Sequence, residues 1–159
     1  MGLLLDELSA SLPDAQQTVR VIVRLIAALL AGGVIGLQRE ASGKAAGLRT
    51  HMLVCAGTTL FVLAAVDVGM EQDAMSRVIQ GLATGIGFLG AGAILKVERR
   101  DQIKGLTTAA GIWMTAALGV AIGVGQLGTA AIGTLLAWFV LAVLVKIDRR
   151  IDGSNPDGA

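Results

Sequence analysis

Charge is scarce in this chain. Of 159 residues, only 16% are Asp, Glu, Lys or Arg, where a soluble domain carries roughly 25%. The 13 basic and 12 acidic side chains leave a formal net charge of +1, so bulk electrostatics give nucleic-acid binding no support. Cysteine is confined to Cys55, which excludes an internal disulfide and a multi-cysteine zinc site. Histidine occurs once, as His51, and there is no HExxH, no G-x-S-x-G and no G-x-x-x-x-G-K-[ST]. An intramembrane protease would need a Ser/His or paired-Asp arrangement, but His51 stands at a helix end and the acids are peripheral. A non-enzyme that calls for no cofactor is expected. The first twenty residues hold Asp6, Glu7, Pro13 and Asp14, not the basic start and short apolar core of a signal peptide.

What is abundant is apolar: 54% of the residues are hydrophobic, and they come in long runs. A bilayer core takes about 20 mostly apolar residues per helix. The runs predict an all-α, polytopic membrane bundle of about five helices: Val21–Leu37, Thr50–Val68, Val78–Leu95, Leu106–Val124 and Leu127–Val145. No charge interrupts Gly105 to Val145, which as one helix would reach about 60 Å. Gly123, Gly125, Gln126 and Gly128 mark the break. Residues 1–20 are then an N-terminal segment outside the cytoplasm, 21–145 the transmembrane domain and 146–159 a short, disordered cytoplasmic tail.

Lys and Arg set the orientation. Arg39, Lys44 and Arg49 follow the first span, Lys96, Arg99, Arg100 and Lys104 the third, and Lys146, Arg149 and Arg150 the fifth. The other side has Arg20 and Arg77 among Asp6, Glu7, Asp14, Asp67, Glu71 and Asp73. The alternation puts the N-terminus outside and the C-terminus in the cytoplasm. A shift of 58 positions lays Gly32, Leu37, Glu40, Gly47, Leu48 and Thr50 on Gly90, Leu95, Glu98, Gly105, Leu106 and Thr108. Helices one and two read as a unit repeated, in parallel orientation, by helices three and four; chance likeness in a Gly/Ala/Leu-rich chain is the competing account.

Gly85, Gly87 and Gly90 spell G-x-G-x-x-G, but a dinucleotide site needs a preceding strand and a βαβ unit. Inside an apolar helix, small residues permit close helix packing. Gly81, Gly85, Gly87, Gly90, Ala91 and Gly92 therefore predict a central third helix that touches neighbours on more than one face. Gly47-Leu-Arg-Thr50 and Gly105-Leu-Thr-Thr108 look alike, each starting a helix that returns into the membrane. Free N–H groups and the positive dipole end suit an anion there. Arg39, Glu40, Gly47, Arg49, Thr50, Lys104, Gly105, Thr107 and Thr108 form a candidate anion or partner site on the cytoplasmic face. Equally, Thr50 and Thr108 read as simple caps. Asp67, Arg77, Gln80 and Thr84 offer a polar path or cation contacts along helix three, or merely what positive-inside topology leaves behind. Arg24, a turn inside helix one, reads as snorkelling outward. Trp113 and Trp138 read as packing residues, and His51 with Cys55 supplies too few ligands for a metal site.

These motifs occur in an order that resembles the MgtC/SapB family of bacterial inner-membrane proteins. The likeness rests on Gly36-Leu-Gln-Arg-Glu40, Gly47-Leu-Arg-Thr-His51, Ser76-Arg-Val-Ile-Gln-Gly81, Gly85-Ile-Gly-Phe-Leu-Gly-Ala-Gly92 and Lys104-Gly-Leu-Thr-Thr-Ala-Ala-Gly-Ile-Trp113. The resemblance implies a role around magnesium limitation or stress and control of other membrane proteins. It also implies a short form without the cytoplasmic C-terminal domain of some members. Two readings compete: a regulatory protein acting through its cytoplasmic face, and a transporter or channel for Mg²⁺ or another ion. The expected partners are membrane lipids, other membrane proteins and a second copy in a homodimer, with no nucleic acid.

Overall fold

The computed structural model describes residues 14–97 and 102–144. Asp14 opens the first helix, its Oδ1 accepting the Gln17 N–H at 2.6 Å, a side-chain cap for an otherwise orphan donor. From there α1 runs over Ala15–Ala41, about 40 Å of helix. It is followed by α2 (Leu48–Asp67), α3 (Gln72–Gly92), α4 (Leu106–Gly123) and α5 (Leu127–Phe139), the last continuing through a π-helical turn at Val140–Leu144. The chain is thus an all-α bundle of five helices among the described residues, as its hydropathy requires. By length and composition α1, α2 and α4 can each cross a membrane, and Leu127–Val143 is a shorter apolar helix. α3 is more polar, with Asp73, Arg77, Gln80 and Thr84 along its length.

The third expected span is corrected at its end. α3 stops at Gly92, and Leu95 instead begins a two-stranded antiparallel ribbon, β1 (Leu95–Val97) with β2 (Gln102–Lys104). Leu95 pairs with Lys104 and Val97 with Gln102. Strands of three residues set among charges give too little alternation to be read from sequence. Arg99, Arg100, Glu98, the first thirteen residues and the 146–159 tail lie outside the described residues.

The interior holds polar side chains alongside Ile35, Ile122 and Val62. Arg39, His51, Thr59, Thr115 and Cys55 are among the largest wholly buried side chains, while Leu53, Phe61, Phe88, Ile132 and Leu135 face outward. Lipid makes that arrangement the stable one: outward apolar side chains lose nothing in hydrocarbon, and helices associate through close contact and hydrogen bonds. Trp113 and Trp138 belong to the outer surface, 52% and 43% exposed. Against the expectation of packing residues, Trp138 is turned largely outward, whereas Trp113 borders a cavity between α3 and α4 beside Ile79 and Ile86.

Glycine decides which helices meet at backbone distance, and these are α1, α2 and α4. A Cβ on Gly32 of α1 would lie 2.6 Å from the His51 carbonyl oxygen, and one on Gly36 would lie 2.6 Å from the Leu48 Cα. On α4, a Cβ at Gly119 would lie 2.6 Å from the Cys55 carbonyl oxygen, and at Gly123 it would meet Val62. α2 is clasped between α1 and α4 at backbone distance. The expectation of a central α3 is corrected accordingly. Nothing stands within 4 Å of a Cβ at Gly81, Gly85, Gly87 or Gly92, and Ala91 is exposed. Only Gly90 meets a neighbour, the Ala109 Cβ at 3.6 Å. α3 turns Ile86 and Gly90 inward and leaves its other small residues facing out of the chain.

Candidate functional site

The buried polar groups form a file between α1, α2 and α4. Arg39, near the end of α1, is wholly buried and donates from Nη2 to Thr108 Oγ1 at 3.2 Å. Its Nε and Nη1 have no partner. His51 Nδ1 lies 2.7 Å from Thr115 Oγ1, whose hydroxyl donates to the Gly111 carbonyl at 2.8 Å; His51 Nε2 has no partner. Farther along, Thr59 donates to the Gly119 carbonyl at 3.0 Å. Helix-forming residues with short hydroxyl side chains allow this, because each reaches a backbone carbonyl one turn back or across the contact. At the far end, Arg24 donates to the Gly123 carbonyl at 2.6 Å. Arg24, expected to reach outward, is part-buried and binds the carbonyl end of α4, where the helix dipole is negative.

The two look-alike helix starts differ in what they hold. At the first, Glu40 reaches from α1 and its Oε2 accepts the Leu48 N–H at 2.8 Å. A Cβ on Gly47 would lie 2.8 Å from that oxygen, so a larger residue there would require the Glu40 carboxylate to shift. The start of α2 is therefore already occupied by a carboxylate of the chain itself. Among the described residues no side chain caps the start of α4. Gly105 precedes it with φ +98°, a backbone region that favours glycine, and its missing Cβ lets the Ala93 carbonyl come close. Glu98, the residue 58 positions after Glu40, lies outside the described residues.

A cavity of about 450 Å³ opens at the start of α4, lined among others by Arg39, Lys44, Lys104, Gly105, Thr107 and Thr108. Lys44 and Lys104 are exposed, and Arg39 lies buried between α1 and α4. Among the described residues, three cationic side chains and no carboxylate line it. That composition attracts an anion twice over, through the guanidinium and ammonium groups and through the first-turn N–H groups of α4. Of the residues singled out from sequence, Arg39, Lys104, Gly105, Thr107 and Thr108 come together here. Glu40 and Gly47 belong to the α2 start, and Arg49 is exposed and does not line the cavity. Thr50 lines a neighbouring groove.

The polar flank of α3 is not brought to any enclosed path within the chain. Arg77, Gln80 and Thr84 are exposed, and the Thr84 hydroxyl donates back to its own helix at the Gln80 carbonyl, 2.9 Å away. Asp67 sits instead in a small cleft with Asp14, Gln16, Gln17 and Arg20 at the opposite end of the bundle. Among the described residues no group of three or more His, Cys, Asp or Glu could hold a metal ion.

Residues 25–150 match the MgtC family. The chain belongs to that family. Among its relatives, Protein SrpB of Synechococcus elongatus is 44% identical over 137 residues, 79% of this chain and 75% of SrpB. The "putative magnesium transporter YhiD" of Escherichia coli is 41% identical over 148 residues, 87% of this chain and 66% of YhiD. Protein MgtC of Salmonella typhimurium is 36% identical over 131 residues, 82% of this chain and 55% of that protein. The MgtC-family chain thus spans about three quarters of SrpB and little over half of the Salmonella protein. No solved structure matches it. Sequence and fold agree on a multi-pass membrane protein of the MgtC family. In this member, the signal that sequence reading missed is the pairing of His51 with Thr115 and of Arg24 with Gly123, contacts far apart in the chain that leave no local pattern.

Proposed function

We propose that this MgtC-family protein is a non-enzymatic inner-membrane protein that acts by binding an anionic group of another membrane component at its cytoplasmic face. The role is linked to magnesium limitation or stress. The basic end, with Arg39, Lys44 and Lys104, is the cytoplasmic one by the positive-inside rule. The observation that carries the reading is the cation-lined cavity with buried Arg39, two of whose nitrogens are unpartnered. A buried guanidinium with two of its three nitrogens unpartnered is costly, and an anion beside it would offset its charge. The protein works as a homodimer, whose second copy covers the outward glycines of α3.

Complementation of a deletion strain in low magnesium tests the reading. Lys44 and Lys104 are exposed, so Lys44→Gln with Lys104→Gln should leave the fold intact and abolish growth rescue at matched membrane abundance. Full rescue by the double variant would overturn the reading. The name of the Escherichia coli relative favours a second reading, a transporter of magnesium. Ion flux into liposomes holding only this protein would support it.

A further inference from the structure

The anion cavity does not end at the helix start. It shares Ala45, Ala93 and Thr108 with a second cavity of about 420 Å³. That second space is a groove lined by Thr50, Val54, Phe88, Gly92, Thr108 and Ile112 among others. It lies between α2 and α3, with α4 at its floor, and it opens on the outer surface: Phe88 is 82% exposed. Thr108 stands at the junction, bonded to Arg39 on one side and lining the groove on the other. Charge is thus confined to one end, and a largely apolar groove leads from it along the outward flank. Both volumes fall in the range of roughly 300–1,000 Å³ usual for small-molecule sites.

We infer that the ligand is an anionic phospholipid, its phosphate held by Arg39, Lys44, Lys104 and the α4 start, and one acyl chain laid in the groove between α2 and α3. This rests on the proposed function and specifies its ligand. A free phosphate would use the cationic cavity alone and has no need of the groove. A neutral hydrocarbon would use the groove alone and has no need of three cations. Only an amphiphile with an anionic head satisfies both, and basic pockets at the ends of membrane helices suit such heads. The three groups divide the work by position. Lys44 and Lys104, exposed at the mouth, draw the head in as point charges; Arg39, wholly buried behind them in the cavity wall, adds its fixed positive charge.

The experiment uses the purified full chain in mild detergent. Native mass spectrometry counts retained lipid after addition of phosphatidylglycerol or phosphatidylcholine of the same chain length, and inorganic phosphate is tested separately by thermal shift. Phosphatidylglycerol should be retained in preference to phosphatidylcholine. Lys44→Gln with Lys104→Gln should weaken that retention about 30-fold, from what each lysine contributes near an anionic head. Gly92→Leu should fill the groove, since nothing lies within 4 Å of a Cβ there, and should weaken phosphatidylglycerol without unfolding the protein. Equal retention of the two lipids overturns the inference at the head. Protection by inorganic phosphate, indifferent to Gly92→Leu and with no lipid retained, overturns the lipid while leaving the anion site standing. If no anion binds, yet the lysine variant fails to rescue growth, the partner is an acidic protein and the lipid inference falls alone. If nothing binds and the variant rescues, both fall.

Discussion

Gly119 has no room for one more carbon. Its Cβ would stand 2.6 Å from the Cys55 carbonyl oxygen and 2.8 Å from the Thr58 Cβ, and backbone cannot swing aside as a flexible side chain can. Gly119→Ala should therefore destabilise the protein by about 1–3 kcal/mol through overpacking, read as a lowered unfolding temperature in detergent. Gly87→Ala is the control. Nothing lies within 4 Å of its Cβ, and replacing a helical glycine with alanine gains up to about 1 kcal/mol of propensity, so its unfolding temperature should hold or rise. Equal losses in the two variants would mean that α2 and α4 do not touch through Gly119. Sequence alone pointed at the denser glycine run, Gly81 to Gly92, because small-residue spacing shows that a helix can be approached closely but not which face a neighbour uses. Arg24 makes the same point with a charge. Its position one turn inside the apolar run was plain, but its partner, the Gly123 carbonyl, is set by the tertiary contact of α1 with α4. Arg24→Leu should lower stability by about 1.5–3 kcal/mol, the worth of a hydrogen bond to a charged group; Arg24→Lys, which can still donate, should lose less.

At the scale of elements, the 58-residue shift maps one helical pair on the other with useful fidelity. It carries Leu48, the first residue of α2, onto Leu106, the first of α4. It also carries the contact of Gly32 with His51 onto that of Gly90 with Ala109. Helix starts and the crossing point were legible because both are fixed by short local patterns: glycine at the crossing, and Gly-Leu before the returning helix. The difference between the units was not. α1 continues to Ala41, whereas α3 stops at Gly92 and gives way to the β1–β2 ribbon. The continuing α1 places Glu40 over the Leu48 N–H, and the early end of α3 leaves space beside α4 for the cationic cavity. Glu40→Ala should lower thermal stability more than Glu40→Gln, which keeps an acceptor oxygen at the α2 start; indistinguishable variants would show that the cap contributes nothing. The π-helical turn after α5 has a similar long-range tie. Gln38 of α1 donates to the Leu141 carbonyl at 2.8 Å, satisfying a backbone group that a wider turn leaves less well bonded.

For the molecule as a whole, the outward glycines of α3 are the largest feature a single chain does not explain. Gly81, Gly85 and Gly87 offer a surface on which a helix backbone could approach closely, and none of the described helices does so. In lipid, such a surface gains stability only by meeting another helix, because hydrocarbon supplies no drive of its own. The proposed homodimer places that helix in a second copy. Substitution at Gly85 separates the two levels of structure. Gly85→Leu should leave the folded monomer as stable as before, since a side chain there meets open space, yet it should block close approach of the second copy. Native mass spectrometry in mild detergent should then show dimer for the unaltered chain and monomer for Gly85→Leu. Gly119→Ala should do the reverse, lowering thermal stability while leaving the folded fraction dimeric. A dimer that persists in Gly85→Leu would remove α3 from the interface, and an unaltered chain that is monomeric across several mild detergents would remove the dimer.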